Sequence, residues 1–121
     1  MLSLMGPLVK HDFEKILPGD LLKHAVRSGT ELLIPLDEAK RAVHIAAENL
    51  IAVLGVEVFR LGDGLGVENY SGSEFKFDGS WEGFVNLNND AALLFINDNS
   101  FGSGYGYILT ATSETEFSHL R

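Results

Sequence analysis

Two glycine-rich stretches are the first places to look for chemistry. Gly62-Asp63-Gly64-Leu65-Gly66 follows an apolar run, as a phosphate loop follows a strand. A dinucleotide loop needs a helix opening directly after its glycines, so that amide dipoles meet the phosphate. Here the strand-like, acidic Val67-Glu68-Asn69-Tyr70 follows, and no Gly-Lys-Ser/Thr is present. The segment reads as a turn. Gly102-Ser103-Gly104-Tyr105-Gly106 has no lysine or arginine nearby and precedes another strand-like run. It reads as a flexible loop, in which Tyr105 and Tyr107 would supply contact area if the loop binds anything.

Metal and nucleophile chemistry find little support. Asp63, Asp78, Asp90 and Asp98 are scattered and form no Asp-x-Asp-x-Asp-Gly calcium loop. His11, His24, His44 and His119 give no His-x-x-x-His pair and read as surface or packing residues. Cysteine is absent, which excludes a thiol nucleophile, a zinc-thiolate site and a disulfide framework. There is no Gly-x-Ser-x-Gly elbow. No catalytic residue, metal ligand or cofactor is therefore assigned, and the chain reads as a non-enzyme. An unrecognised hydrolase would need two close carboxylates in a cleft. Glu57 interrupts an apolar strand, where an ionised carboxylate is costly unless paired or exposed. A pair with Arg60 or a helix cation, exposure at a sheet rim, or contact with a partner would each account for it.

The charge distribution says more about partners. The chain has 121 residues and a net charge of −8. Residues 1–61 carry a net of −1 and residues 62–121 a net of −7, with Lys76 and Arg121 the only cations in the second half. Such a surface repels nucleic acid and attracts a basic protein. Residues 1–8 are apolar but broken by Gly6 and Pro7 and lack a basic stretch before them. No apolar run approaches the roughly 20 residues that span a bilayer. A cytoplasmic, membrane-free protein is expected.

The elements that would position these residues fit one domain over residues 1–121. Residues 8–17 suit a short helix with Leu8, Phe13, Ile16 and Leu17 inward, ended by Pro18-Gly19. Asp20 is a candidate N-cap for a second helix over residues 21–27, closed by Gly29. The spacing of Leu36, Ala39, Val43, Ala46 or Ala47, and Leu50 predicts a helix over 35–50. Residues 51–61 are β-branched and apolar on both faces, which predicts a central strand. Shorter strands follow over 67–70 and 73–77. Ser80 is the candidate N-cap of a helix running to about residue 97, with Trp81, Phe84, Val85, Asn88, Ala91 or Ala92, and Phe95 on one stripe. Trp81 reads as core, and Asn88 as a buried amide bonded to backbone. Glu82, Asn86, Asn89 and Asp90 read as that helix's solvated acidic face. Residues 107–111 read as a last strand, and 113–121 as a polar, frayed tail in which Phe117 and Leu120 are the candidates for docking. The order predicts an α+β fold, a small mostly antiparallel sheet packed against two to four helices.

One known family shares this order. Leu54-Gly55-Val56-Glu57-Val58-Phe59 after an alanine-rich helix, Trp81-Glu82-Gly83-Phe84-Val85 with Ala91 or Ala92 and Phe95-Ile96, and the closing Gly106-Tyr107-Ile108-Leu109-Thr110 resemble the immunity protein 40 family of bacterial polymorphic toxin systems. The resemblance covers roughly residues 30–112. It departs between the first strand and the Trp81 helix, where Phe75 and Phe77 stand in place of a tryptophan-bearing stretch. It implies a cytoplasmic α+β protein that binds and neutralises a cognate toxin domain without catalysis. Charge complementarity would speed such an encounter. The expected partner-contacting pool is Asp63, Glu68, Glu74, Asp78, Glu82 and Asp90. The alternative function is a small ligand-binding or regulatory module, which needs an apolar pocket with a few converging polar groups near Glu57 or Tyr105. Oligomeric state is left open.

Overall fold

The structure, a computed structural model, describes residues 11–72 and 79–120. The expected strand over 73–77, together with Glu74, Asp78 and Leu8, lies outside them.

Two short helices open the described chain, α1 (Asp12–Ile16) and α2 (Gly19–Leu22). Their apolar residues Phe13, Leu17 and Leu21 are buried in the main core. Asp20 is not the N-cap. Pro18 holds that position, and Asp20 lies in the first turn and accepts from Arg41 Nη1 at 2.8 Å.

The second helix does not run to Arg27. Val26–Ser28 is a strand, β1, paired antiparallel with β2 (Glu31–Leu33). Gly29, expected to stop a helix, instead takes φ 62° in the two-residue turn of this hairpin. Such turns need a left-handed backbone that glycine adopts without strain.

The predicted helix over 35–50 is present as α3 (Leu36–Glu48), with Asp37 and Glu38 in its first turn. Ala39, Ala42, Val43 and Ala46 are buried. Leu50 leaves the helical stripe. It adopts φ 57°, and Ile51 N–H reaches the Ala46 carbonyl at 2.8 Å while Leu50 N–H reaches Ala47. This double bond is a Schellman ending with leucine where glycine is usual. The left-handed conformation costs a non-glycine residue about 1–2 kcal/mol. Leu50 is also half exposed, so its side chain returns little of that. Leu50→Gly is expected to raise stability by about 0.5–1 kcal/mol in urea unfolding. A loss of similar size would show that the side chain matters more than the strain.

Three strands form the main sheet in the order β4–β3–β5, all antiparallel: β3 (Ala52–Arg60), β4 (Gly66–Ser71) and β5 (Tyr105–Thr112). Ile34 adds a bridge to the other side of β5, exchanging two 2.8 Å hydrogen bonds with Tyr107. The β1–β2 hairpin thus continues the sheet at that edge. β3 is central, as its sequence predicts. Its pairing with β5 shifts between Val53 and Gly55, leaving Leu54 as an extra residue. An extra residue reverses the alternation of faces. That is why Val53, Val56 and Val58 all join one core cluster.

The long helix α4 (Trp81–Asp98) packs on β3 beside α3. Ser80 caps it by accepting from Gly83 N–H at 3.0 Å, as predicted. Ala92 and Ile96 meet α3 and the sheet in the main core. Trp81, Phe84, Val85 and Ala52 form a second cluster, joined by Phe117 of α5 (Glu114–Leu120). Residues 114–120 are therefore a helix rather than a frayed tail. The architecture is α+β, with antiparallel sheet packed against helices, as expected from the order of elements.

Two asparagines of α4 separate in role. Asn88 is buried and its Nδ2 donates to the Phe84 carbonyl at 2.9 Å, the backbone bond expected of it. Asn89 does not belong to the solvated face. It is buried, accepts from Val53 N–H at 2.8 Å and donates to the Ile51 carbonyl at 3.0 Å. It fastens α4 to the start of β3, where the bulge leaves the ladder irregular.

Candidate functional site

Two surfaces remain open once the core is accounted for. The first lies on the sheet face turned away from α3 and α4. There Glu57 pairs with Ile108, and Phe59 with Gly106. A Cβ on Gly106 would stand 2.9 Å from Leu33 Cβ and 3.1 Å from a Leu61 methyl. The absent side chain lets the β1–β2 hairpin close over this end of the sheet. Between them runs a groove of about 300 Å³ lined by Val26, Leu33, Phe59, Leu61 and Ile108, with Ser28, Glu31, Arg60 and Gly64 at its margins.

Arg60 is committed at this margin. Its Nε and Nη2 donate to Asp63 at 3.2 and 2.9 Å, and Asp63 also accepts from Leu65 N–H at 3.1 Å. The Arg60 hydrogen bond, with the Leu65 amide behind it, holds the Asp63 carboxyl below its usual range. Asp63 thus shapes the β3–β4 turn, which agrees with reading residues 62–66 as a turn. Glu57 is exposed and makes no ion pair with a described residue, so exposure, not a pair with Arg60, accommodates it.

The second surface is the outer side of α4. Glu82, Asn86 and Asp90 are exposed along it at four-residue steps. Leu87 and Leu94, seven residues apart, are 48% and 63% exposed beside them. An apolar pair framed by carboxylates is the composition of a contact patch with a polar rim. Glu68 is exposed on the edge strand β4, two residues from Tyr70, whose ring stacks on Phe95 of α4 at 5.6 Å. Of the six expected contact residues, Glu82 and Asp90 share one helix face, Glu68 lies on β4, and Asp63 lies in the turn beside the groove. Glu74 and Asp78 are outside the described residues.

The tyrosines of the glycine-rich loop differ. Tyr107 is not available for contact. It is fully buried, and its hydroxyl donates to the Asn99 carbonyl at 2.6 Å and accepts from Phe101 N–H at 3.0 Å. Burial pushes its phenol upward. Tyr105 stays half-buried, stacked on Phe101 at 4.9 Å.

A polar cluster joins the start of α1 to the start of α5. Ser113 and Glu116 form a reciprocal capping box: Ser113 N–H donates to Glu116 Oε1 at 3.0 Å, and Glu116 N–H to Ser113 Oγ at 3.2 Å. Glu116 Oε2 also accepts from Asp12 N–H at 3.2 Å and lies 3.3 Å from His11 Nδ1. Ser113 Oγ donates to Asp12 at 2.6 Å. The hydroxyl therefore faces a carboxylate and not an imidazole, and the cluster serves as a clasp between helix ends. Burial works to raise the Glu116 carboxyl, but the Ser113 and Asp12 amides and His11 outweigh it and hold it below the usual carboxylate range. A carboxyl depressed on folding contributes stability that is present above its unfolded value and lost as pH falls through its folded one. The clasp is thus expected to loosen as pH falls below the ordinary carboxyl range. Glu116→Gln should flatten the pH dependence of unfolding between about pH 5 and 3. An unchanged acid transition would contradict this role.

Sequence reasoning missed the groove. Part of its lining comes from the β1–β2 hairpin, whose first two residues fell in the helix expected over 21–27. The signal was present: Gly29-Thr30 sits between two short β-compatible runs, Val26-Arg27-Ser28 and Glu31-Leu32-Leu33. No protein-family model, no curated protein and no solved structure matches this chain. Among the described residues no group of histidines and carboxylates could hold a metal ion, and no helix is long and apolar enough to cross a membrane.

Proposed function

We propose that this protein is a non-catalytic immunity protein, which binds and neutralises a cognate bacterial toxin domain by docking an acidic surface onto a basic one. One observation carries the reading. Every described arginine is spent in an ion pair within the fold: Arg27 with Glu14, Arg41 with Asp20 and Arg60 with Asp63, each at 2.8–2.9 Å. Such exposed pairs add little stability. The pairs cancel only their own charges and leave Glu57, Glu68, Glu82, Asp90 and Asp98 outside any ion pair among the described residues. An uncompensated field of this sign raises the encounter rate with a basic partner.

The α4 face supports the reading further, since Leu87 and Leu94 offer apolar contact area beside Glu82 and Asp90. The resemblance to the immunity protein 40 family supplies the partner's class, and the protein would meet it in the cytoplasm. The test is co-expression with the variable C-terminal domain of a large secreted protein whose gene neighbours this one, the source the reading expects for a cognate toxin. The wild type is expected to protect the cells and to co-purify with that domain, and E82K/D90K to protect poorly while remaining folded. Absence of any complex with the wild type would overturn the reading. The groove under the hairpin gives the second reading, a small ligand-binding or regulatory module, its footing, since about 300 Å³ lies at the lower end of ligand-site volumes.

A further inference from the structure

We infer that the groove under the β1–β2 hairpin takes an extended, lysine- or arginine-bearing segment of a protein partner, which adds to the edge of β1 that pairs with no described strand and drops an apolar side chain between Val26, Leu33, Phe59 and Ile108. This deepens the toxin-binding reading and rests on it only for the partner's identity.

Exposed apolar area is concentrated here. Of the large hydrophobic side chains left exposed among the described residues, Val26, Leu61 and Leu65 line the groove or sit in the turn that closes it. Apolar groups gathered in this way mark contact sites more often than singly scattered ones. The size suits side chains. A cavity of about 150 Å³ holds a benzene ring, so about 300 Å³ accommodates one large aromatic side chain or two aliphatic ones.

The shape suits an extended segment. β1 pairs with β2 on one side and with no described strand on the other. Val26 and Ser28, alternate residues of β1, both line the groove, as do their partners Leu33 and Glu31. A strand added to β1 would direct every second side chain to the same face, the arrangement of β-augmentation. Charge selects the occupant. Arg27 donates twice to Glu14 and Arg60 twice to Asp63, which leaves Glu31 as the uncompensated charge in the lining. A second copy of this chain would bring −8 against −8, so a cationic segment of another protein is the complementary occupant.

The test is an NMR titration of the isotope-labelled full chain with the synthetic peptide Lys-Thr-Leu-Thr-Phe-Thr-Lys and its glutamate-ended counterpart. The lysine-ended peptide is expected to shift Val26, Arg27, Ser28 and the groove methyls saturably, and to bind at least about tenfold tighter than its counterpart. V26D/L61E should remove the response. Both positions are about half exposed, so an unchanged thermal midpoint is expected to show that the fold survives. Any of four results overturns the inference: no saturable shift up to about 1 mM peptide, equal binding of the two peptides, shifts confined to α4, or saturable binding of indole with no response to either peptide. The toxin co-expression result is independent of all four, so the groove and the immunity reading can fail separately.

Discussion

Asn89→Ala is expected to lower the unfolding free energy by about 3–5 kcal/mol, read by urea denaturation. The side chain accepts from Val53 N–H and donates to the Ile51 carbonyl, and both lie in the core. Val53 precedes the bulged Leu54, so its neighbourhood in the β3–β5 ladder is irregular. Alanine would leave a buried donor and a buried acceptor without partners, each costing about 1–3 kcal/mol. The amide also lies 3.5 Å from the Val43 carbonyl, so it ties α3 into the same knot. Asn89→Leu should be no better, because volume is not what is missing. A loss under about 1 kcal/mol for either variant would mean that the backbone groups find other partners and that the clamp is dispensable.

Trp81→Ala is expected to cost about 3–5 kcal/mol, the usual range for removing a large buried aromatic. The indole packs against Phe84 at 5.2 Å and Phe117 at 5.5 Å between ring centroids. Its Nε1 donates to the Leu50 carbonyl at 2.6 Å. It therefore joins the N-terminus of α4, the end of α3 and the last helix. Trp81→Phe separates the two contributions. It keeps an aromatic ring in the cluster and loses the hydrogen bond, so it should cost about 1–2 kcal/mol. Since Trp81 is the chain's one tryptophan, unfolding of both variants is best followed by circular dichroism. Equal losses for the two would assign the whole effect to the hydrogen bond and contradict the packing argument.

What the sequence made legible follows from which forces act locally. α3 and α4 were readable because their apolar residues recur with the helical period, as in Leu36, Ala39 and Val43 or Trp81, Phe84 and Val85, and central β3 because its run is β-branched and apolar on both faces. Ser80 was readable as a cap because its hydroxyl acts within three residues. The β1–β2 hairpin was not, because three-residue strands hold too few positions to show alternation, and Asp20 and Gly29 imitate helix punctuation. Asn89 looked solvated because an amide is polar. Yet it stands four residues after buried Val85 and three before buried Ala92, on the inner stripe of α4, and only its polarity argued otherwise. The helical tail was hidden for the opposite reason: its polar residues, Ser113 and Glu116, are the cap itself. For the functional surfaces, the acidic bias of residues 62–121 was plain, but its placement was not. Asp63 turned out to be bound to Arg60, while Glu82 and Asp90 share a helix face with Leu87 and Leu94.

Under the proposed function, an uncompensated acidic surface drives association with a basic toxin domain. This is tested most directly by stopped-flow association of that domain with the wild type and with E82K/D90K across a range of salt concentrations. The wild-type rate should fall steeply as salt rises, and the variant should associate more slowly at low salt, by roughly tenfold or more, with a flatter dependence. Identical rates and identical salt slopes for the two proteins would contradict it.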